Sequence, residues 1–313
     1  MKTLERIVLR HLRTVVSSEL DPLQFAYQPG IGVEDAIIYL SHRALSHLEK
    51  TGSTVSARTV LAPFLYTLYI ADFRHNTSSC HMQKFSDDTA IVGRVSEEND
   101  QEYREVIGDF VNWCESNHLH INASKTKEMV VDFRRRPPGT APVNIQGVDI
   151  EMVETYKYLG VHLNKKLDWS TNTEVLYKKG QSRLYLLRRL SSFGVCRSLL
   201  KTFYDSVVAS AIFYAIACWG AGSRERDRKR LNKLVMKASS VLVCHLDTIE
   251  EVGERRMLTR LASIMGNTSH PLHEIVSSLS SSFSCRLLHP QCKTERFRRS
   301  FIPVAVRLFN ATS

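Results

Sequence analysis

The chain has 313 residues, of which 43% are hydrophobic, and its formal net charge is +10. That length suits one large domain or two ordinary ones, and the hydrophobic fraction is enough for a packed core, which excludes a disordered composition. A strongly basic chain indicates a polyanionic partner, with nucleic acid as the first candidate and an anionic membrane as the second. General basicity without a function is the plain alternative.

The cysteines and the apolar segments bear on the location of the chain. Its seven cysteines are odd in number and widely scattered, which favours a reducing compartment over a disulfide framework. Met1–Val16 is typical of an amphipathic basic helix rather than of a secretory signal. The longest apolar run, Val207–Trp219, is shorter than the roughly 20 residues that span a bilayer. We therefore expect a soluble nuclear or cytoplasmic protein that is not secreted and has no membrane partner.

The first part of the chain is predicted to be helical with one abrupt junction. Pro29 and Gly30 break the chain before a helix predicted over Val33–Lys50. After a polar break the sequence passes directly into a second apolar helical stretch, Val60–Tyr69. No carboxylate occurs between Lys50 and Asp72.

An acidic pair, Asp87-Asp88, lies between two short predicted strands, Cys80–Lys84 and Ile91–Val95. Two residues that connect paired strands form a tight hairpin, but Asp-Asp suits such a turn less well than Asn-Gly or Asp-Gly. Residues that occupy a turn although they are unfavourable there are expected to serve another purpose. Adjacent carboxylates offer the oxygen ligands that Mg²⁺ prefers. A solvated surface turn is the plain alternative.

A strongly amphipathic helix follows, with Ser96 as the expected N-cap and Asn117 as the expected terminator. The next segment, Lys127–Phe133, alternates as a strand. Phe85, Ile91 and Val92 of the hairpin are expected to pack on the apolar face of this helix, with Met129 and Val131 on an adjacent strand.

The remaining chain changes from strands to helices. Gln146-Gly147 predicts a second hairpin, and Tyr156–Leu163 predicts a further strand. The composition changes near residues 165–172, after which three basic helices are predicted: Thr173–Ser191, Arg197–Trp219 and Arg224–Val243. The tail from His270 is Ser-rich and less clearly patterned.

Five segments occur in an order that resembles one family. They are Leu20–Ile38, Val60–Tyr69, Phe85-Ser86-Asp87-Asp88, Leu119–Lys127 and Tyr156–Gly160. Together they resemble segments of the reverse transcriptases of non-LTR (LINE-like) retrotransposons, of the kind abundant in fish genomes. In the same order, those segments are the fingers segment, the helix after a Pro-Gln-Gly turn, the catalytic aromatic-x-Asp-Asp hairpin, the Leu-x-x-Asn-x-x-Lys-Thr-Lys motif and the strand before the thumb.

The resemblance implies an α+β fold that is the remnant of a polymerase right hand. Residues 1–55 would be fingers-like, and residues 56–165 would be a truncated palm with an antiparallel sheet and the acidic hairpin. Residues 166–265 would be a helical, basic, thumb-like region, followed by the poorly patterned tail at 266–313.

The resemblance also implies RNA-directed DNA polymerase chemistry with RNA and DNA as partners. Such enzymes use two divalent metals to activate the primer hydroxyl and to stabilise the leaving pyrophosphate. Asp87 and Asp88 match the hairpin ligands of Mg²⁺, and Lys125 or Lys127 matches the basic residue that approaches the triphosphate.

The sequence departs from the family between Lys50 and Val60. The first palm strand with its metal-binding Asp and the Pro-Gln-Gly turn should lie there, but only Ser56–Thr59 stands in their place. Asp72 lies after the apolar helix, on the wrong element for a ligand. We therefore expect a degenerate, catalytically impaired enzyme, from a decayed element or a gene model with skipped sequence. A non-enzymatic nucleic-acid-binding remnant is the alternative.

The basic helices are the expected nucleic-acid surface, because clustered cations contact phosphates. The candidate residues are Lys178, Lys179, Arg188, Arg189, Arg224, Arg226, Arg228, Lys229 and Arg230. The alternative is a solvated helix face with pairs such as Glu225 with Lys229.

Two metal-site alternatives remain. His245-Leu246-Asp247 has the His-x-Asp form found in iron dioxygenases, with His270, His273 or His289 as third ligands. Cys285, His289 and Cys292 offer three candidate zinc ligands without an evident fourth.

Separately, Asp168–Val208 is similar to the N-terminal segment of AlkB-homologue tRNA-modifying proteins, although no catalytic residue is involved.

Overall fold

The computed structural model describes residues 21–26, 28, 30–49, 70–77, 79–86, 88–95, 100–133 and 141–312, and the backbone of 54–56. The predictions for Met1–Val16, Val60–Tyr69, Asp87 and Ser96 concern residues outside these ranges.

The described part contains both helices and strands, so the α+β class is confirmed. The strands are β1 (Thr54–Ser56), β2 (Cys80–Phe85), β3 (Asp88–Val95), β4 (Lys127–Glu128), β5 (Asn144–Ile145), β6 (Val148–Asp149), β7 (Glu151–Met152), β8 (Thr155–Tyr158) and β9 (Val161–Asn164). The α-helices are α1 (Val33–Leu48), α2 (Gln101–Ser116), α3 (Ser170–Ser192), α4 (Arg197–Phe203), α5 (Ser210–Ile212), α6 (Ile216–Trp219), α7 (Glu225–Leu242), α8 (Ile249–Met265), α9 (His273–Ser277), α10 (Glu295–Arg298) and α11 (Phe301–Thr312), and a π-helix covers Tyr204–Ala209.

The predicted acidic hairpin is present as β2 and β3, which pair antiparallel with Phe85 opposite Asp88. The connection is therefore Ser86-Asp87, one residue earlier than the predicted Asp87-Asp88, and Asp88 is the first residue of β3. Ser86 has a φ of 55°. A positive φ at the first central residue is what the tight hairpin turns that fit twisted strands require.

The two faces of this sheet contact different helices. Ile91 belongs to the apolar cluster built on α2, as predicted. Val92 and Phe85 instead pack in the cluster that contains α1, together with Met129 and Val131. The prediction that Phe85, Ile91 and Val92 share one helix was wrong, because successive side chains of a strand point to opposite faces.

The sequence predicted the bounds of α2 and of the following strand only in part. The residue before α2 that serves as its N-cap is Asp100, so Ser96 is not the N-cap, whereas Asn117 ends the helix as predicted. The predicted strand Lys127–Phe133 is regular over β4 alone, which pairs in parallel with β7.

The later turns follow glycine chemistry. The hairpin at Gln146-Gly147 is confirmed, and both residues have positive φ, 51° and 79°. Tyr156–Leu163 is not one strand but the hairpin β8–β9. Its turn is Leu159-Gly160, with φ values of 46° and 85°. Only glycine adopts such angles freely, and it sits where the chain reverses.

The helical region is built around the contact between α3 and α7. A Cβ on Gly180 would lie 2.8 Å from Leu234 Cδ1, so the absence of a side chain permits the close approach of these helices. The helix predicted over Arg197–Trp219 is interrupted by the π-helix and again at Phe213–Ala215, where Ala215 has a φ of 50°. Arg197–Trp219 is also the one segment, within the described residues, that passes a length and composition test for a membrane span. Because 44% of its most apolar window is buried, it also resembles an ordinary core helix.

One apolar core joins distant parts of the chain. It includes Phe25, Val92, Tyr158, Leu234 and Val306, so the C-terminal tail has more regular structure than its sequence pattern indicates. The fully buried Asp35 at the start of α1 adds a polar connection. Its Oδ2 accepts a hydrogen bond of 3.0 Å from Arg260 of α8.

Candidate catalytic hairpin and nucleic-acid surface

The acidic hairpin is fixed along its outer edge by an extended segment from the start of the described chain. Phe25 N donates to Lys84 O at 2.8 Å, and Lys84 N donates to Leu23 O at 3.0 Å. Between them, the buried Gln24 side chain accepts a hydrogen bond from Ser86 N at 3.1 Å. The turn of the hairpin is therefore held by a side chain that lies more than sixty residues earlier in the sequence.

Lys84 is a fully buried cation at the base of this hairpin. Its Nζ lies 2.7 Å from Asp21 Oδ2 and donates to the carbonyl oxygens of Ile70, at 2.7 Å, and Phe73. Burial lowers the pKa of Lys84, and the Asp21 carboxylate opposes that shift. A buried charge with a full set of partners is tolerated, whereas loss of one partner leaves an uncompensated ion.

Asp88 is the predicted catalytic acid that the structure describes. It is partly buried, and its charge acts on Tyr158, whose pKa is raised first by burial and then by the Asp88 carboxylate. The Tyr158 hydroxyl accepts a hydrogen bond of 3.1 Å from Gln83. Asp88 therefore faces the side of the sheet that packs on α1 and β8.

The described part of β1 pairs with Gly93, Arg94 and Val95 of β3. Residues 57–69 lie outside the described ranges, and the sequence has no carboxylate between Lys50 and Asp72. Asp72 is exposed, and its Oδ2 accepts a hydrogen bond of 3.4 Å from Trp113 of α2. It therefore lies on the α2 side of the sheet, away from Asp88.

The described residues alone do not form a centre for two metal ions, and Asp87 lies outside them. Across the described ranges, no group of three or more His, Cys, Asp or Glu residues is arranged to hold a metal. Two adjacent cations repel strongly unless anionic ligands lie between them. Asp87 and Asp88 as Mg²⁺ ligands therefore remain a prediction from the resemblance.

Lys125 occupies an exposed turn after α2. Its backbone N–H donates to Asn122 Oδ1 at 3.1 Å, which fixes the turn rather than the side chain. Nothing in the described part of the chain links the Lys125 ammonium to the hairpin, so its role beside a triphosphate remains a prediction. Lys127, the alternative, forms an ion pair with Glu151 at 2.7 Å.

Six of the nine predicted nucleic-acid residues are already paired with carboxylates. The pairs are Lys178–Glu174 at 3.9 Å, Arg224–Asp168, Arg226–Asp227 at 3.7 Å, Arg228–Glu250 at 3.2 Å, Lys229–Glu225 at 2.6 Å and Arg230–Glu174 at 2.7 Å. The expected pair between Glu225 and Lys229 is thus present. For residues 224–230 the structure favours the alternative of a paired, solvated helix face.

The other three are Lys179, Arg188 and Arg189 of α3, and as a set we call them the cationic face, although Lys179 and Arg188 lie about half a turn apart around the helix axis. All three are exposed, and no carboxylate pairs with them among the residues that the structure describes. The surrounding sequence, residues 175–204, contains Lys178, Lys179, Arg183, Arg188, Arg189, Arg197 and Lys201 but no Asp or Glu. Uncompensated positive charge is therefore concentrated on α3.

The alternative metal sites do not assemble. Asp247 pairs with Arg255 at 2.7 Å, and His270 Nε2 lies 3.2 Å from Asp35 Oδ1 inside the core. In the described ranges, His245, Cys285, His289 and Cys292 belong to no metal-binding group. Neither iron nor zinc chemistry gains support.

Comparison with known proteins agrees with the order of the motifs. Residues 59–163 match the sequence profile of the family described as reverse transcriptase (RNA-dependent DNA polymerase). This part of the chain therefore resembles the reverse transcriptases of non-LTR retrotransposons. It is 28% identical over 213 residues to the probable RNA-directed DNA polymerase from transposon X-element of Drosophila melanogaster, covering 64% of this chain and 23% of that protein. The same fly's polymerase from mobile element jockey is 27% identical over 202 residues, covering 59% of this chain and 21% of that protein.

This reverse transcriptase segment therefore spans only about a fifth of the length of these relatives. A second profile, alkylated DNA repair protein alkB homolog 8, N-terminal, matches residues 169–210, the region of the predicted AlkB likeness. No solved structure matches the chain.

Sequence reasoning missed the residues that support the hairpin, which are Asp21, Gln24 and Lys84. One signal was available. Lys84 lies two residues after the buried Met82 in β2, and side chains two residues apart on a strand point to the same face, so Lys84 faces the core. A lysine at such a position requires an acidic partner. The identity of that partner could not be read from the sequence, because Asp21 is distant along the chain.

Proposed function

We propose that this chain is a degenerate reverse transcriptase segment that binds RNA and DNA through α3 but does not polymerise DNA, in the nucleus or the cytoplasm. The carrying observation is the absence of a carboxylate from the sequence between Lys50 and Asp72. The remnant of a polymerase right hand, with Asp87, Asp88 and Lys125 in the truncated palm, is part of this proposal.

The physical reason lies in the number of acids. Phosphoryl transfer by two metals depends on anions that bridge the two ions and on precise positioning of the triphosphate. The hairpin supplies two adjacent carboxylates in sequence, and the stretch that would form the neighbouring strand supplies none. Mg²⁺ held there would be singly and loosely bound, so the second ion would not join it at useful concentrations.

Primer extension on an RNA template in Mg²⁺ tests the catalytic half of the proposal. The wild type is compared with an Asp87→Ala/Asp88→Ala variant and with a chimera carrying the corresponding stretch of the X-element polymerase between Thr54 and Val60. We expect no primer extension by the wild type or by the Asp87→Ala/Asp88→Ala variant. Extension by the chimera that disappears when Asp88→Ala is added would support the missing strand as the cause. Extension by the wild type that the double variant abolishes would contradict the proposal.

Salt-dependent binding tests the other half. Each phosphate contact with single-stranded nucleic acid changes the slope of log K against log salt by about −0.7. We expect a Lys179→Ala/Arg188→Ala/Arg189→Ala variant to lose about two units of that slope. The matched control is Arg226→Ala/Lys229→Ala, which removes paired cations and should change the slope much less. Equal effects from both variants would show that the cationic face is not the contact surface.

A further inference from the structure

Two large aromatic rings are largely exposed on this part of the chain, Tyr185 within α3 and Phe193 at its C-cap. Tyr185 is 62% exposed and Phe193 is 71% exposed, whereas Leu184 and Leu187 on the opposite side are buried in the core. The two rings are therefore not part of the apolar core. Single exposed hydrophobic residues are ordinary, but neighbouring exposed rings on one surface indicate a contact site.

Both rings lie on one stripe with a guanidinium between them. Tyr185, Arg189 and Phe193 follow each other at four-residue spacing, which places them on the same side of a helix. The Arg189 Cζ lies 5.0 Å from the centroid of the Phe193 ring. We call this set the stacking face; it spans about 12 Å along the helix, at about 1.5 Å per residue.

The end of α3 fixes the position of Phe193. The helix stops there because Gly194 adopts a φ of 75°, and Gly194 N donates to Ser191 O at 3.1 Å. Arg189 lies in the last turn, where a cation interacts favourably with the helix dipole. The ring and the guanidinium are therefore presented at a defined place beside the cationic face.

We propose that the stacking face binds unpaired bases of single-stranded nucleic acid, while the cationic face contacts its phosphates. This inference rests on the proposed nucleic-acid binding and adds its substrate class. Every base has a π-face on which an aromatic side chain or an arginine can stack, and single-strand binding sites combine such rings with positive charge. A duplex conceals these base faces inside its stack, so the two exposed rings favour single strands over duplexes.

Charge favours the same ligand. Because residues 175–204 contain no carboxylate, a polyanion approaches the stacking face without local repulsion. A basic helix with exposed aromatic and leucine residues also suits an anionic membrane surface. Nucleic acid is favoured because the rings lie beside guanidinium groups and because the reverse transcriptase relatives are RNA-directed DNA polymerases by name.

The test measures binding by fluorescence anisotropy with three labelled probes: a 20-nucleotide oligo(dT), an abasic strand of equal length and charge, and a 20-base-pair duplex. The variants are Tyr185→Leu/Phe193→Leu, which keeps apolar bulk without π-faces, and Tyr185→Phe, which keeps the ring. Phe283→Leu is the matched control, because Phe283 is 97% exposed and lies outside α3. Circular dichroism establishes that each variant is folded.

Each ring is expected to contribute about tenfold to oligo(dT) affinity, so the double leucine variant should bind it about a hundredfold more weakly. Affinity for the abasic strand and the duplex should change less than twofold. Tyr185→Phe and Phe283→Leu should behave as the wild type does. An equal loss on all three probes, or no loss on oligo(dT), would overturn the stacking face.

Two further results separate this inference from its rivals. Wild-type protein that binds none of the probes at low salt would refute the proposed function itself, and the stacking face with it. Wild-type binding that ignores the leucine substitutions would refute only the stacking face. Vesicles containing phosphatidylserine supply the last arm. Loss of vesicle binding in the leucine variant, with unchanged oligo(dT) affinity, would assign the surface to a membrane and overturn the inference.

Discussion

The sheet around the acidic hairpin and the helical region after residue 168 are stabilised in different ways. The hairpin depends on residues from distant parts of the chain, with Gln24 at its turn and Asp21 beside the buried Lys84. The helical region depends mainly on apolar contact between α3 and α7, which Gly180 allows to be close. Its ion pairs lie mostly at the surface.

The two regions therefore depend unequally on distant parts of the chain. A helix satisfies its own backbone hydrogen bonds, so α3 and α7 need only each other's apolar faces. A strand needs neighbours at its edges, and β3 pairs with β2 over Asp88–Gly93 and with the described part of β1 at Gly93, Arg94 and Val95. Removal of a neighbouring strand would therefore remove backbone pairing from β3.

The largest expected effect lies in the hairpin. Lys84→Met leaves the Asp21 carboxylate buried without its partner, and Asp21→Asn leaves the Lys84 ammonium in the same position. Each change should lower the free energy of unfolding by about 3–5 kcal/mol in urea denaturation. The double variant should lose clearly less than the sum of the two. Simple additivity would show that the pair does not act as a unit.

The packing of α3 on α7 should be the next most sensitive feature. Gly180→Val adds bulk where a Cβ alone would lie 2.8 Å from Leu234 Cδ1 and 3.2 Å from Ile212. We expect a loss of about 1–3 kcal/mol, measured as a lower urea midpoint with an unchanged slope. An unchanged midpoint would mean that the two helices separate easily, which would remove the contrast between the regions.

A pH effect is expected at the start of α3. Burial would raise the pKa of Asp168, but hydrogen bonds from Asn164 and Ser170 and the charge of Arg224 outweigh it and lower the pKa to about 2. A depressed carboxyl pKa contributes stability that is present above about pH 4 and is lost as the pH falls towards 2. After allowance for solvent screening, about 1 kcal/mol should disappear over that interval. Urea titrations of the wild type and Asp168→Asn should converge there, and parallel curves would contradict the assignment.

The smallest effect is a gain in stability beside the sheet. Gly108 lies inside α2 with nothing within 4 Å of a Cβ placed on it. Gly108→Ala should therefore raise the free energy of unfolding by about 0.5–1 kcal/mol, because alanine has less conformational freedom to lose. Together with Gly180→Val it distinguishes a glycine required by packing from one that is not. A loss at Gly108 would indicate a contact that the structure does not contain.

Much of the local structure could be predicted from the sequence. Helical periodicity predicted α1, α3 and α7 to within a few residues, because a helix is encoded by contacts three and four residues apart. The Gln146-Gly147 hairpin followed from turn chemistry. The order of the motifs indicated the family, and the absence of a carboxylate between Lys50 and Asp72 is a property of the sequence alone.

Only the tertiary structure decided which residues serve the candidate site. The register of β2 and β3 places the hairpin turn at Ser86-Asp87. Because side chains alternate along β3, Ile91 and Val92 pack in different apolar clusters. Glu174, Glu225 and Glu250 pair with three of the predicted basic residues, whereas Lys179, Arg188 and Arg189 of α3 are exposed. These outcomes depend on contacts between residues far apart in the chain, and the periodicity of a single segment carries no information about its partners.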